Sequence, residues 1–234
     1  MIIVVSYRAY ERLQNSIELK VVPLMPYDKL DLPVSSHADM LLCVIDKTVF
    51  CYDEYYKNNI SLFNIIEQMG YDVIRVKHLC NKKYPHDIGL NALVIGKKIF
   101  CKADYAAREI VEYGKNNGYK IIRVKQGYAA CSCLVVNENT VITSDMGMKK
   151  SLEKEGIKVY IIPNDKIILD GYNCGFVGGS GFIWDNKAYF FGQFYNIIKE
   201  NHKEILEFFQ KNNIEIYSVS DECLEDFGGV KIFL

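Results

Sequence analysis

The chain has 234 residues, half of them hydrophobic, and a formal net charge of −1. That is enough apolar side chain for a sizeable core, and the near-neutral balance excludes the global basic field with which nucleic-acid and acidic-membrane binders gather their partners. Seventeen Tyr and twelve Phe exclude a disordered chain. The N-terminus, MIIVVSYRAYERL, is a short apolar run with no basic residue ahead of it and charges directly after it. It predicts a first strand, with neither a secretory signal nor a membrane span. Eight cysteines are scattered through apolar runs, so reduced thiols and a cytoplasmic location are expected.

In chain order, one nine-residue pattern recurs: SIELKVVPL at 16–24, GYDVIRVKH at 70–78, GYKIIRVKQ at 118–126, GIKVYIIPN at 156–164 and NIEIYSVSD at 213–221. A turn-forming residue followed by alternating β-branched residues predicts a strand. Starts 54, 48, 38 and 57 residues apart indicate a repeat architecture of five units. A helix is expected ahead of the later copies. Ile60, Phe63 and Ile66 or Glu67 mark the stripe before Gly70; Ala106, Ile110 and Tyr113 mark it before Gly118. The shorter MGMKKSLEKE precedes Gly156, and Ile198, Ile205, Leu206 and Phe209 mark the helix before Asn213. Gly or Asn just past each helix suits the left-handed C′ position.

Second strands follow at 37–51, 90–101, 131–144, 178–191 and 228–234. Four of them fold back as hairpins at Asp46-Lys47, Gly96-Lys97, 137–139 and Asp185-Asn186. The units run roughly 1–52, 53–102, 103–145, 146–192 and 193–234, with no linker between them. One domain is expected: a ring of αβ repeats about a pseudo-fivefold axis.

In such a ring the residues entering each second strand gather near one end of the axis. Those positions are His37-Ala38-Asp39, 87–91, Cys131-Ser132-Cys133, 178–181 and Glu225-Asp226 ahead of Gly228-Gly229. A thiol, an imidazole and carboxylates thus occupy the same place in different repeats, as the parts of an active site do.

Five αββ repeats, H-x-D at one strand entrance and G-x-x-x-C-S two repeats later resemble the pentein fold of the guanidino-group-modifying enzymes. The strings LPVSSHADMLLC, GYAACSCLVVNENTVITSDMGM and GYNCGFVGGSGF resemble, more closely, an uncharacterised bacterial family of that fold. The resemblance implies an α/β propeller whose cysteine attacks a guanidinium or amidinium carbon while a histidine acts as acid and base. A thiolate is needed because a thiol is a poor nucleophile. Carried over by motif, Cys131 is the nucleophile, His37 the acid/base and Asp39 a substrate-binding carboxylate, with Glu225 or Asp226 as the acidic residue before the Gly-Gly turn. A small cationic substrate is implied; no cofactor, metal, nucleic acid or membrane is. The enzymes usually end with the cysteine repeat, whereas two repeats follow Cys131, so the ring reads as circularly permuted. Residues 173–181 hold no carboxylate where the enzymes carry one.

Each feature also has a plainer reading. Cys131 and Cys133 alternate, so one of the two can be core. His37 can cap a strand, His86 sits in a turn and His202 among helix charges, while His78 is undecided. Gly178-Gly179-Ser180-Gly181 precedes a strand, which favours tight backbone packing over a phosphate loop. Arg8 and Arg75 suit either a substrate carboxylate or surface ion pairs, and most of the tyrosines are expected in the core. A non-catalytic binding module, such as the ribosome anti-association factor that shares the fold, is the alternative to a cysteine hydrolase or transferase.

Overall fold

The computed structural model describes residues 1–198 and 203–234. Its strands form five three-stranded sheets of one design. The inner strands are β3 (Leu42–Ile45), β6 (Leu93–Ile95), β9 (Cys133–Asn137), β12 (Gly181–Trp184) and β15 (Val230–Phe233). Each pairs antiparallel with a middle strand: β4 (Thr48–Tyr52), β7 (Lys98–Cys101), β10 (Thr140–Thr143), β13 (Lys187–Phe190) and β1 (Ile2–Ser6). The middle strands pair parallel with the outer ones: β5 (Asp72–Val76), β8 (Lys120–Arg123), β11 (Lys158–Ile161), β14 (Glu215–Ser218) and β2 (Lys20–Leu24). Every outer strand lies within one copy of the nine-residue pattern. The expected C′ residues Gly70, Gly118, Gly156 and Asn213 have φ of 80°, 75°, 81° and 52°.

A parallel pair needs a crossover between its strands, and helices supply it: α1 (Tyr10–Gln14), α3 and α4 (Asp53–Asn58, Ile60–Gln68), α5 (Arg108–Asn116), α6 (Met146–Lys154), and α7 and α8 (Tyr195–Ile198, Lys203–Lys211). The sheets are therefore phased differently from the sequence units. Each nine-residue strand joins the hairpin before its helix, and the loop after it leads to the next sheet. The last strand closes this pattern with the first, β15 pairing with β1 from Ile2↔Phe233 to Val5↔Val230.

The helices bury part of the stripes that amphipathic periodicity indicates, with Ile60, Ala106, Tyr113 and Leu206 less buried than expected. Leu62, Phe63 and Ile66 form the buried face of α4, while Ile60 is exposed. Ile60 is the first residue of α4, directly after the break at Asn59 (φ −130°, ψ 35°), and lies off the face that Leu62, Phe63 and Ile66 make. In α5 the buried residues are Ile110 and Gly114, and a Cβ on Gly114 would lie 2.7 Å from Ile99 Cδ1. Ile205 and Phe209 anchor α8; His202 and the middle of the helix expected there lie outside the described residues.

Inner strands from all five sheets line one cavity of about 340 Å³, together with Asp39 and Lys231. The residues two positions ahead of the inner strands are Met40, Asn91, Cys131, Gly179 and Gly228. This equivalent position builds the site.

Candidate active site

Cys131 is fully buried, and its Sγ accepts a hydrogen bond of 2.8 Å from Asn91 Nδ2. The Asn91 amide is fixed by its oxygen, which accepts the Ala130 N–H at 2.8 Å and the Cys131 N–H at 3.4 Å. Its nitrogen is therefore turned to the sulfurs of Cys131 and Met40 and to the Asp39 carbonyl, at 2.8, 3.2 and 3.0 Å. Sequence reasoning placed Asn91 near the axis but assigned it no role. Its position, two residues before an inner strand as Cys131 is, was the available signal.

The two glycines at the equivalent position make room for the other members. A Cβ on Gly228 would overlap His37 Cβ, and a Cβ on Gly179 would overlap Asp226 Oδ1. Neighbouring Gly178 packs as closely: a Cβ there would lie 2.5 Å from the Cys131 carbonyl oxygen. The run 178–181 is thus tight backbone packing.

His37 precedes the short helix α2 (Ala38–Leu41) and makes no capping bond. Its Nδ1 lies 3.8 Å from Asp226 Oδ1, and its buried Nε2 has no hydrogen-bond partner. Burial, reinforced by the positive charge of Arg8, pushes its pKa down to about 3, so the imidazole is neutral at physiological pH. Asp226 is buried and accepts the Phe176 N–H at 2.8 Å and the Gly228 N–H at 2.9 Å. Burial and the neighbouring Asp39 nevertheless raise its pKa above the usual carboxylate range. Glu225 points the other way, to Arg12 at 3.1 Å and Arg8 at 3.7 Å. The adjacent acids are thereby separated, with only Asp226 in the site.

A second cavity, about 250 Å³, opens on this group and is lined by His37, Cys131 and Asp226 together with Tyr128, Tyr172 and Phe176. Asp39 and Cys133 instead line the axial cavity on the inner strands. The thiols of C-x-C are therefore divided between two cavities, and the H-x-D pair likewise. Asp39 influences Cys131 from behind; both its carboxylate oxygens are buried without a hydrogen-bond partner. Burial pushes Cys131 well above the ordinary thiol range, and the charges of Asp39 and Asp226 push the same way, against a smaller effect from Asn91.

Asp39 yields a pH prediction. Burial raises its pKa in the folded chain. Its contribution to stability is full below the ordinary carboxylate range and is lost as the pH rises through the raised value. With that pKa raised to about 6, Asp39→Asn, which mimics the neutral acid, should therefore gain in Tm relative to wild type as the pH is raised from about 4 to about 6. Melting curves across that range would show it, and a constant Tm difference would contradict it.

The remaining candidates lie elsewhere. His78 Nε2 donates to the His86 carbonyl at 3.2 Å, and the His86 ring packs against Tyr105. Arg75 pairs with Asp53 at 3.4 Å and Arg8 with Asp170 at 2.5 Å. Tyr172 is one of the tyrosines outside the core: it is 44% exposed and lines the site cavity. Among the described residues no group of three or more His, Cys, Asp or Glu is placed to hold a metal ion, and no helix is long and apolar enough to cross a membrane.

The DDAH of Pseudomonas aeruginosa, a cysteine-to-serine variant in complex with citrulline, superposes with a TM-score of 0.52 at 10% identity, over 94% of this chain and 92% of that one. The amidinotransferase SxtG of Microseira wollei, from the saxitoxin biosynthetic pathway, gives 0.57 at 9% identity, over 97% and 80%. The inosamine-phosphate amidinotransferase StrB1 of Streptomyces griseus gives 0.54 at 11%, over 95% and 75%. The chain is similar to these in having the fold of the guanidino-group-modifying enzymes, the penteins. By sequence, residues 4–231 match the family described as a family of unknown function (DUF6873), and the chain belongs to that family. No curated protein matches it.

Proposed function

We propose that this protein is a cysteine-dependent enzyme that cleaves or transfers at a C–N bond of a small amidinium or guanidinium compound. The observation that carries the reading is the 250 Å³ cavity on which Cys131, His37 and Asp226 converge from three different sheets' connections. The fold supports it: its relatives include amidinotransferases, and a dimethylarginine dimethylaminohydrolase with a histidine replaced by glycine is known as an adduct with S-methyl-L-thiocitrulline. The pairing of β15 with β1, which puts both chain ends in one sheet, suits a permuted ring.

In this reading the cation docks against the Asp226 carboxylate, and its charge lowers the Cys131 pKa within the site. His37 Nε2, neutral and unpartnered, takes the thiol proton. The thiolate attacks the amidinium carbon, forming the C–S bond. The C–N bond then breaks as imidazolium returns the proton to the departing amine. Water, deprotonated by the again neutral imidazole, adds to the carbon; the C–S bond breaks and the thiol is restored, releasing a urea or amide. An amine acceptor in place of water gives group transfer. Asn91 Nδ2 stabilises the sulfur anion.

Chloroacetamidine, an amidinium alkylating agent, tests this. Mass-mapped labelling should fall on Cys131, be slowed by excess guanidinium, persist in Cys133→Ser and vanish in Cys131→Ser. Equal labelling of the two variants would remove Cys131 from the role.

A further inference from the structure

The walls of the same cavity define which cation it takes. Resting on the function proposed above, we infer that the substrate is a guanidine or amidine with an apolar body and no carboxylate. The charges argue it first. Among the described residues no Lys or Arg lines the cavity, and acids bear on it: Asp226 lines it, Asp87 accepts the Tyr128 hydroxyl at 2.6 Å, and Asp31 accepts the Tyr172 hydroxyl at 3.4 Å. The arginines that flank it are engaged. Arg8 pairs with Asp170 at 2.5 Å and Glu225 at 3.7 Å, and Arg12 with Glu222 at 2.5 Å and Glu225 at 3.1 Å. Both guanidinium groups also stack over the Phe227 ring, at 5.9 and 5.0 Å from its centroid. Asp170, Glu222 and Glu225 together thus hold both arginines, neither of which lines the cavity.

The walls argue it second. The hydroxyls of Tyr128 and Tyr172 are turned to Asp87 and Asp31, so these residues present ring surface, continued by Phe176. Tyr128 and Phe176 lie 6.0 Å apart, centroid to centroid. A volume of about 250 Å³ is below the range of drug-sized pockets, which limits the body to a short alkyl chain or one ring. A carboxylate there would be desolvated beside acids with no cation to pair with.

A matched pair tests this: butylguanidine and guanidinobutyrate differ only in the terminal carboxylate. Each is titrated as a protectant of Cys131 against chloroacetamidine, in wild type and in Arg8→Ala. Butylguanidine should protect about tenfold or more better than guanidinobutyrate, in both proteins alike. Equal or better protection by guanidinobutyrate would overturn the inference and leave the function standing; loss of that protection in Arg8→Ala would show Arg8 turning to the substrate. Protection by neither compound, with Cys131 unlabelled, would overturn both.

Discussion

Asp226→Asn is expected to lose turnover of guanidines and amidines by about a thousandfold, the scale set by removing one preorganised polar group from a transition state. The variant is nearly isosteric, so the loss is chemical. Among the described residues lining the site cavity Asp226 is the one carboxylic acid, and it faces His37 Nδ1 at 3.8 Å. A stability change comes with it. Both carboxylate oxygens accept backbone N–H groups, from Phe176 and Gly228. An amide offers one oxygen, so one of these donors meets an NH₂ group instead, a loss of roughly 1–3 kcal/mol. Steady-state kinetics with an amidine substrate and a thermal melt separate the two effects. Retained activity at a lowered Tm would reduce Asp226 to a structural acceptor.

Gly228→Ala carries the second large effect, on the fold and the site together. Gly228 has φ of +76°, and a Cβ there would overlap His37 Cβ. The left-handed backbone alone costs a residue with a side chain roughly 1–2 kcal/mol, and forcing a methyl into a packed interior adds about 1–3 kcal/mol. Gly70→Ala is the control: φ is +80°, yet nothing lies within 4 Å of the position a Cβ would take. Gly70→Ala should lower Tm by about 2–8 °C for a chain of this size, and Gly228→Ala by about twice that or more. The second variant should also lose Cys131-dependent labelling, because His37 is displaced. Equal Tm losses would mean that the Gly228 backbone, rather than room for His37, is what the glycine supplies.

The sheet framework was legible because it is written in backbone chemistry. The β-branched alternation of GYDVIRVKH and its copies marked all five outer strands. Hairpin turns that need positive φ were marked by Asp46, Gly96, Asp185 and Asn186, at 51°, 52°, 46° and 57°. What periodicity does not encode is which strands pair. A helix after a hairpin crosses back to the same sheet and a loop carries the chain onward, yet both are simply connections in the sequence. Helix faces were legible only in part: Phe63 and Ile66 lie on the buried face of α4 as expected, while Leu62 takes the place expected of Ile60.

The site was legible to the level of the neighbourhood. His37, Cys131 and the acidic pair were found as residues entering the inner strands. Their directions were not, because these segments are irregular and alternation says nothing about them. Neighbouring Glu225 and Asp226 diverge, one to the arginines and one to His37. Asp39 turns to the axial cavity, with Lys231. Asn91 was passed over because an amide in an apolar stretch announces no chemistry; its importance lies in an oxygen that takes two backbone N–H groups and so aims its nitrogen at sulfur.

Substrate-assisted activation of Cys131 is the centre of this account, and Cys223 offers a reference within the same molecule because its thiol is exposed. The measurement is the rate of alkylation of each cysteine at neutral pH, by neutral chloroacetamide and by cationic chloroacetamidine, resolved by mass spectrometry. With Cys131 held well above the ordinary thiol range by burial, chloroacetamide should label Cys223 ahead of Cys131. Chloroacetamidine, drawn to Asp226, should reverse that order. Labelling of Cys223 ahead of Cys131 by both reagents would contradict the account, since the site would then neither bind the cation nor activate the thiol.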